Sequence, residues 1–352
     1  MVLRNEFTIS LARFIASNPE IKLPFKRYQI GQVFRDGPMK LGRYREFWQC
    51  DADCVGISDV SIDSQLLMLA QDIFKKLNLS VVIKLNNRLL LNAVLDKFSI
   101  DKDIQKEVII SIDKLDKIEI SGVMEELSKK GISEQTTKEI LNILNIDGNN
   151  QEKIEKLKLE LGDCEGLQQI AKTLSMVDQA NIVFSPSLAR GLAYYTGNVF
   201  EVFLNDNSQL SSSLGGGGRY DDMIGGLTEK IEKVPAIGIS FGLDTIFDTL
   251  KLLNKIADVK SVVEIYLVAM GDIARGKTLE YAQVLRKNSI KTDLDLQSKK
   301  LNKCLEYVNS NNIKWVGIVG EDEIKRDKIM LRNMQTGKQK LLSLKKVIKE
   351  IK

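Results

Sequence analysis

Residues 26–35, KRYQIGQVFR, and residues 43–56, RYREFWQCDADCVG, are the stretches on which the reading of this 352-residue chain turns. Both runs alternate in polarity, and Asp36, Gly37, Pro38 and Gly42 lie between them, which predicts an antiparallel hairpin with a long loop. Successive strand residues point to opposite faces. Arg45, Phe47, Gln49, Asp51 and Asp53 therefore share one face, while Trp48, Cys50, Ala52 and Cys54 share the other. One face is polar and charged and the other greasy, a pattern that a strand on the protein surface would also show.

Ser61 to Leu77 carries apolar residues at helical spacing (Ile62, Leu66, Leu69, Ile73, Leu77). From about Leu95 to Val177 the chain is rich in Lys, Glu, Leu and Ile, with stops at Gly131, Gly148 and Gly162, and reads as a helical insert. Strand character returns in NIVFS (181–185), in the run Ala193 to Leu204 and in IGISFG (237–242), with Gly215–Gly218 between the last two. Beyond about residue 260, VVEIYLVAM, TDLDL, KWVGIVG and IMLRNM alternate with helical stretches, predicting a small α/β domain with a mainly parallel sheet.

Composition narrows the chemistry. The chain has no histidine, which removes Ser-His-Asp triads, Cys-His dyads and imidazole metal sites. Four cysteines are too few for a disulfide scaffold, and Cys50 and Cys54 lack the second pair that a zinc site needs. No apolar run is long enough to span a bilayer and no leader pattern is visible, so a cytoplasmic location without membrane association is expected. The 51 basic and 47 acidic residues give a net charge of only +4. Residues 291–352 alone carry +7, a local excess that attracts polyanions.

Neither GxxxxGK[ST] nor GxGxxG occurs, which disfavours Walker and Rossmann nucleotide sites, and no isolated metal-binding motif is present. The run LGGGGRYD (214–221) reads either as a flexible turn or as backbone that approaches a ligand where a Cβ would not fit. Arg35, Arg43 and Arg45 gather around the hairpin, either solvated or as forks for phosphate oxygens. In SLARGLAYYTGNVF (187–200), Arg190 precedes Tyr194 and Tyr195, residues of a core or of a polar ligand pocket.

GRYREFWQCDADCVG, preceded by YQIGQVFRDGP, resembles the motif 2 hairpin of class II aminoacyl-tRNA synthetases in its histidyl-tRNA synthetase form. ARGLAYYTG (189–197) resembles that family's histidine-recognition signature, PAIGISFGLDTIF (235–247) its motif 3, and LRNEFT (3–8) a further histidine-contacting segment. SIDKLDKIE (111–119) and VGIVGEDE (316–323) fit its insertion and anticodon-binding domains. The likeness covers essentially the whole chain, with three departures. The motif 1 segment, a dimer-interface element, has no counterpart ahead of LRNEFT; Thr245 stands where motif 3 has an arginine; and Ala193 stands where the signature often has Asp.

The resemblance implies an α+β fold: a catalytic domain over residues 1–255 with an antiparallel sheet, flanking helices and a helical insert at about 95–178, followed by an α/β anticodon-binding domain over 260–352. It implies ATP-dependent, Mg²⁺-assisted ligation of L-histidine to its tRNA through a histidyl-adenylate, and a homodimer in the full-length form. Arg35 and Arg190 would be catalytic, and ATP would bind at Arg35, Arg43 and Arg45. Glu6, Thr8, Gln49, Asp53, Arg190, Tyr194 and Tyr195 would bind histidine. Two rivals are a synthetase-like histidine sensor that regulates a biosynthetic transferase and a sensor of uncharged tRNA. The intact ARGLAYYTG and the basic tail argue against the first, and Thr245 is the feature that favours the second.

Overall fold

The computed structural model describes residues 3–114, 119–190, 194–205, 212–227, 233–256, 260–297 and 299–352. The chain divides into two compact units, Met1–Lys255 and Ile256–Lys352.

The first unit opens with helix α1 (Thr8–Ala16) and the hairpin β1 (Phe25–Phe34) and β2 (Glu46–Val55), paired antiparallel from Phe25↔Val55 to Phe34↔Glu46. Then come α2 (Ser61–Lys76), β3 (Val81–Asn87) and six helices: α3 (Arg88–Lys97), α4 (Lys102–Ile112), α5 (Glu119–Ser128), α6 (Glu134–Leu144), α7 (Asn150–Leu161) and α8 (Glu165–Leu174). Strands β4 (Ile182–Phe184), β5 (Asn198–Leu204) and β6 (Gly215–Arg219), helix α9 (Asp221–Gly225), strand β7 (Ala236–Gly242) and helix α10 (Leu243–Leu252) complete it. The strands form one sheet in the order β1-β2-β7-β6-β5-β3-β4, antiparallel except for the β3–β4 pair.

Local chemistry explains the helix boundaries. Asn87 ends β3 and caps α3 by accepting the Leu89 N–H at 2.8 Å, so the helical stretch begins at Arg88, ahead of the expected Leu95. β3 escaped the sequence reading although Val81, Ile83 and Leu85 alternate on its buried face. Asn149 and Glu152 form a reciprocal capping box on α7, and Gly162 ends that helix at φ +74°.

Two further expectations change. The glycine run is no turn: it is β6, buried in mid-sheet between β5 and β7. Strand β5 starts at Asn198, past Tyr194 and Tyr195, while Ala193 lies outside the described residues.

One sheet face is apolar. Leu85, Phe200, Val202, Ile237, Ile239 and Phe241 join Leu67, Phe74, Leu167 and Ile170 of α2 and α8 in the main core. The other face is polar, and it forms the floor of the site.

The second unit runs β8 (Ile265–Ala269), α11 (Asp272–Lys287), β9 (Thr292–Leu294), α12 (Leu301–Ser310), β10 (Trp315–Val319), α13 (Glu321–Lys325), β11 (Ile329–Asn333), β12 (Gln339–Leu342) and α14 (Leu344–Ile351). Its sheet, ordered β12-β11-β10-β8-β9, is half antiparallel, because β11 and β12 fold back as a hairpin. The expected mainly parallel sheet is thus corrected. Among the described residues no helix is long and apolar enough to cross a membrane.

Candidate active site

Strand register builds the polar face. Across β1 and β2, Arg27 stands opposite Asp53, Gln29 opposite Asp51 and Gly31 opposite Gln49. Across β2 and β7, Asp51 meets Ser240 and Asp53 meets Gly238. Gly216 and Gly218 of β6 continue this face, with Glu201 of β5 beyond Gly216. Gln49, Asp51 and Asp53 are 6%, 4% and 5% exposed, so the polar side of β2 is buried, and the surface-strand alternative falls.

Burying three polar groups demands partners. Asp53 accepts from Arg27 Nε at 3.1 Å and from the Tyr220 hydroxyl at 2.7 Å. Ser240 Oγ donates to Asp51 at 2.5 Å and accepts from Gln49 Nε2 at 2.7 Å. Burial pushes the Asp51 carboxyl up to about 7, against the Ser240 hydrogen bond, which lowers it. Asp53 is raised by the same desolvation, with Arg27 opposing.

The cover comes from distant parts of the chain. Tyr194 donates to Glu6 Oε2 at 2.8 Å, and the Thr8 hydroxyl also reaches Tyr194. Desolvation raises the Glu6 carboxyl, while Tyr194 and Arg35 pull it down. The rings of Tyr194 and Tyr195 lie 4.9 Å apart, and Tyr220 meets Tyr194 edge-on at 6.4 Å. Arg35 leaves the hairpin strand, stacks on Phe47 at 5.1 Å and points Nη2 at Gln49 Oε1, 3.5 Å away.

Arg190 has a left-handed backbone, φ +41°, unusual for a residue with a side chain and characteristic of functional sites that hold strain. Its guanidinium donates to the Phe200 carbonyl at 3.1 Å, lies 4.0 Å from Glu201 and sits 5.8 Å from the Tyr195 ring centre. A Cβ on Gly216 would come within 1.7 Å of Arg190 Nη1. Here the glycine run provides room for an arginine.

Glu6, Thr8, Arg35, Gln49, Asp53, Arg190, Tyr194 and Tyr195 therefore form one connected cluster over the polar face, a candidate ligand pocket. Arg43 and Arg45 stand apart at the loop. Arg45 donates to the Gly37 carbonyl at 3.1 Å and pairs with Asp36 at 3.8 Å, while the Arg43 backbone bridges to Lys40. Thr245 is buried, and its hydroxyl donates to the Gly42 carbonyl at 3.0 Å. The sequence reading missed Arg27, Asp51, Ser240 and Tyr220 as pocket residues. The alternation that selected Gln49 and Asp53 also contains Asp51, but Arg27, Ser240 and Tyr220 become visible only once the strand register is known.

The family model for histidyl-tRNA synthetase matches residues 1–246, and the model for the anticodon binding domain matches residues 264–352. The chain belongs to the histidyl-tRNA synthetase family. It is 40% identical to histidine–tRNA ligase 1 of Bacillus cereus, over 96% of this chain and 79% of that one. It is 37% identical to the histidine–tRNA ligase of Bacteroides fragilis, over 98% of this chain and 77% of that one. The crystal structure of histidyl-tRNA synthetase from Nostoc sp. PCC 7120 superposes with a TM-score of 0.81 at 29% identity, covering 99% of this chain and 82% of that one. The class II synthetase fold and the anticodon-binding tail follow from that membership.

Proposed function

We propose that this synthetase joins L-histidine to its tRNA through a histidyl-adenylate. In the first step the histidine carboxylate attacks the α-phosphorus of ATP, and pyrophosphate leaves. In the second, a terminal ribose hydroxyl of the tRNA attacks the activated carbonyl, and AMP leaves. Charge accumulates on phosphate oxygens in the first step, and fixed cations stabilise it without a protein proton donor. A chain without histidine is equipped for that.

The observation that carries this reading is the placement of Arg190, held over Gly216 in the pocket that also holds Arg35, Gln49 and Asp53. Arg35 would take the α-phosphate and Arg190 the developing charge. Gln49 and Asp53 would bind the ammonium, Asp53 through lone pairs that Arg27 and Tyr220 leave free. Glu6 and Thr8 would complete that ammonium pocket, and Tyr194 and Tyr195 would hydrogen-bond and pack the imidazole. Arg43 and Arg45 would reach ATP only if they leave their loop contacts.

Among the described residues no group of three or more Cys, Asp or Glu side chains is arranged to hold a metal. Mg²⁺ would therefore arrive on the ATP phosphates, which supply its oxygen ligands. We assign catalysis to residues 1–255, including the insert at about 95–178, and anticodon binding to 260–352. A homodimeric, cytoplasmic enzyme that does not bind membranes comes with the same family reading.

Histidine-dependent exchange of pyrophosphate into ATP tests the proposal. Exchange with histidine and not with other amino acids is expected. Tight histidine binding without exchange would overturn it in favour of a sensor.

A further inference from the structure

Asp51 is a carboxylate buried in mid-sheet, with no role in the scheme above. Its contacts form a directed chain. On adjacent strands Asp51 and Ser240 are register partners, and Ser240 Oγ donates to Asp51 Oδ1 at 2.5 Å. While Asp51 is ionised the single Ser240 proton is committed to it, so towards Gln49 the Ser240 oxygen can only accept. It accepts from Gln49 Nε2 at 2.7 Å. The other end of that amide faces Arg35 Nη2, a donor with no accepting capacity, at 3.5 Å from Oε1. Both ends of Gln49 thus impose the same orientation: nitrogen towards Ser240, oxygen towards Arg35.

We propose that Asp51, acting through Ser240, is a positioning residue that locks the Gln49 amide with its oxygen facing the pocket and so selects ligands carrying a free ammonium group. This rests on the reading of Gln49 as an ammonium contact. An ammonium offers only donors, so the pocket must present it with an acceptor. Without Ser240 as acceptor, the 2.7 Å hold on the amide is lost and only the long Arg35 contact at 3.5 Å opposes its turning to present NH₂ to the cation. Selection here is built from the unfavourable alternative as well as from the favourable contact.

The test is calorimetric titration of the whole protein with three ligands. L-histidine has ammonium and carboxylate, histidinol has the ammonium alone, and imidazolepropionate has the carboxylate alone. Ser240→Ala should weaken histidine and histidinol about tenfold, the size of one lost hydrogen bond to a charged group, and leave imidazolepropionate unchanged. Ser240→Thr, which keeps the hydroxyl, should restore wild-type values. Equal weakening of all three ligands would show a merely structural role and overturn the proposal, as would Ser240→Ala binding histidine like the wild type. Wild-type protein that binds neither histidine nor histidinol would overturn the histidine reading itself and this inference with it.

Discussion

Gly216 lies so close to Arg190 that any β-carbon on it would stand 1.7 Å from the guanidinium Nη1 and 2.9 Å from the Phe200 carbonyl oxygen that this guanidinium binds. Gly216→Ala should therefore displace Arg190 without altering Arg190 itself. The expected outcome is a fall in the pyrophosphate-exchange rate on the order of a hundredfold, comparable to loss of one preorganised charge-stabilising group. Histidine affinity should change much less, because the phosphate charge that we propose Arg190 meets is largest in the transition state. Arg190→Ala should give the same pattern. Variants that lose histidine affinity at unchanged kcat would place Arg190 in ground-state binding alone.

The raised Asp51 carboxyl predicts a pH dependence of stability. Its value of about 7 in the folded chain, against 3.8 as the ordinary value, means that the folded state holds the proton more tightly than the unfolded chain does. Its contribution to stability is complete below about pH 4 and is lost as pH rises towards 7, where the ionised, buried form costs folding on the order of a few kcal/mol. Asp51→Asn keeps an oxygen for Ser240 and removes the charge. It should raise the melting temperature by several degrees at pH 8 and leave it close to wild type near pH 4. Parallel melting curves for the two proteins across that range would remove the assignment.

Beneath β6, the side chain of Arg219 donates to Asp63 at 2.7 Å, and the two residues are 3% and 0% exposed. Asn198 donates to the same carboxylate at 2.9 Å, which ties β5, β6 and α2 together. Asp63→Leu alone should destabilise by about 3–5 kcal/mol in urea unfolding, because it removes the fully buried carboxylate partner of a buried guanidinium and leaves it Asp221 at 3.4 Å and two backbone carbonyls. Adding Arg219→Met should recover much of that loss. If the double variant were no more stable than Asp63→Leu, the cost would lie in packing and not in the orphaned charge.

Much of this arrangement was legible in the sequence. The hairpin, the insert and its glycine stops, and the tail strands followed from periodicity, and the alternation along β2 put Gln49 and Asp53 on one face. Three things were not legible, for physical reasons. A run of four glycines has no side-chain pattern, so only its neighbours β5 and β7 could reveal a central strand. The Arg27–Asp53 pair depends on hairpin register, which a long loop leaves unfixed. Thr245 read as a lost cation, whereas in the fold its hydroxyl is used on Gly42.

That use belongs to a clamp. Asp248 Oδ2 accepts from the Tyr44 hydroxyl at 2.5 Å and the Gly42 N–H at 3.2 Å, Thr245 donates to the Gly42 carbonyl, and Asp244 accepts the Trp48 N–H at 2.6 Å. One face of α10 thus holds the hairpin loop that carries Arg43 and Arg45. Asp248→Ala should loosen the loop and raise KM for ATP about tenfold, with histidine affinity and the melting temperature little changed. An ATP KM equal to wild type would show that the loop needs no clamp. Thr245→Arg should not improve ATP use, since the longer side chain must first displace Gly42.

Residues Ile265, Leu267, Leu285, Val319 and Leu331 form a core within the second unit, and the pocket residues all lie in the first. Deleting residues 256–352 should therefore leave a folded first unit whose histidine-dependent pyrophosphate exchange stays within a few-fold of the intact chain. Charging of tRNA should be lost, because the deleted unit carries the net +7 of residues 291–352, whose lysines and arginines can contact phosphates. For the intact chain, tRNA affinity should accordingly fall steeply with added salt. Scanning calorimetry of the truncated protein separates loss of charging from loss of fold. Full charging by a well-folded truncation would remove tRNA binding from the tail, and loss of exchange in that same protein would place part of the proposed adenylate site beyond Lys255.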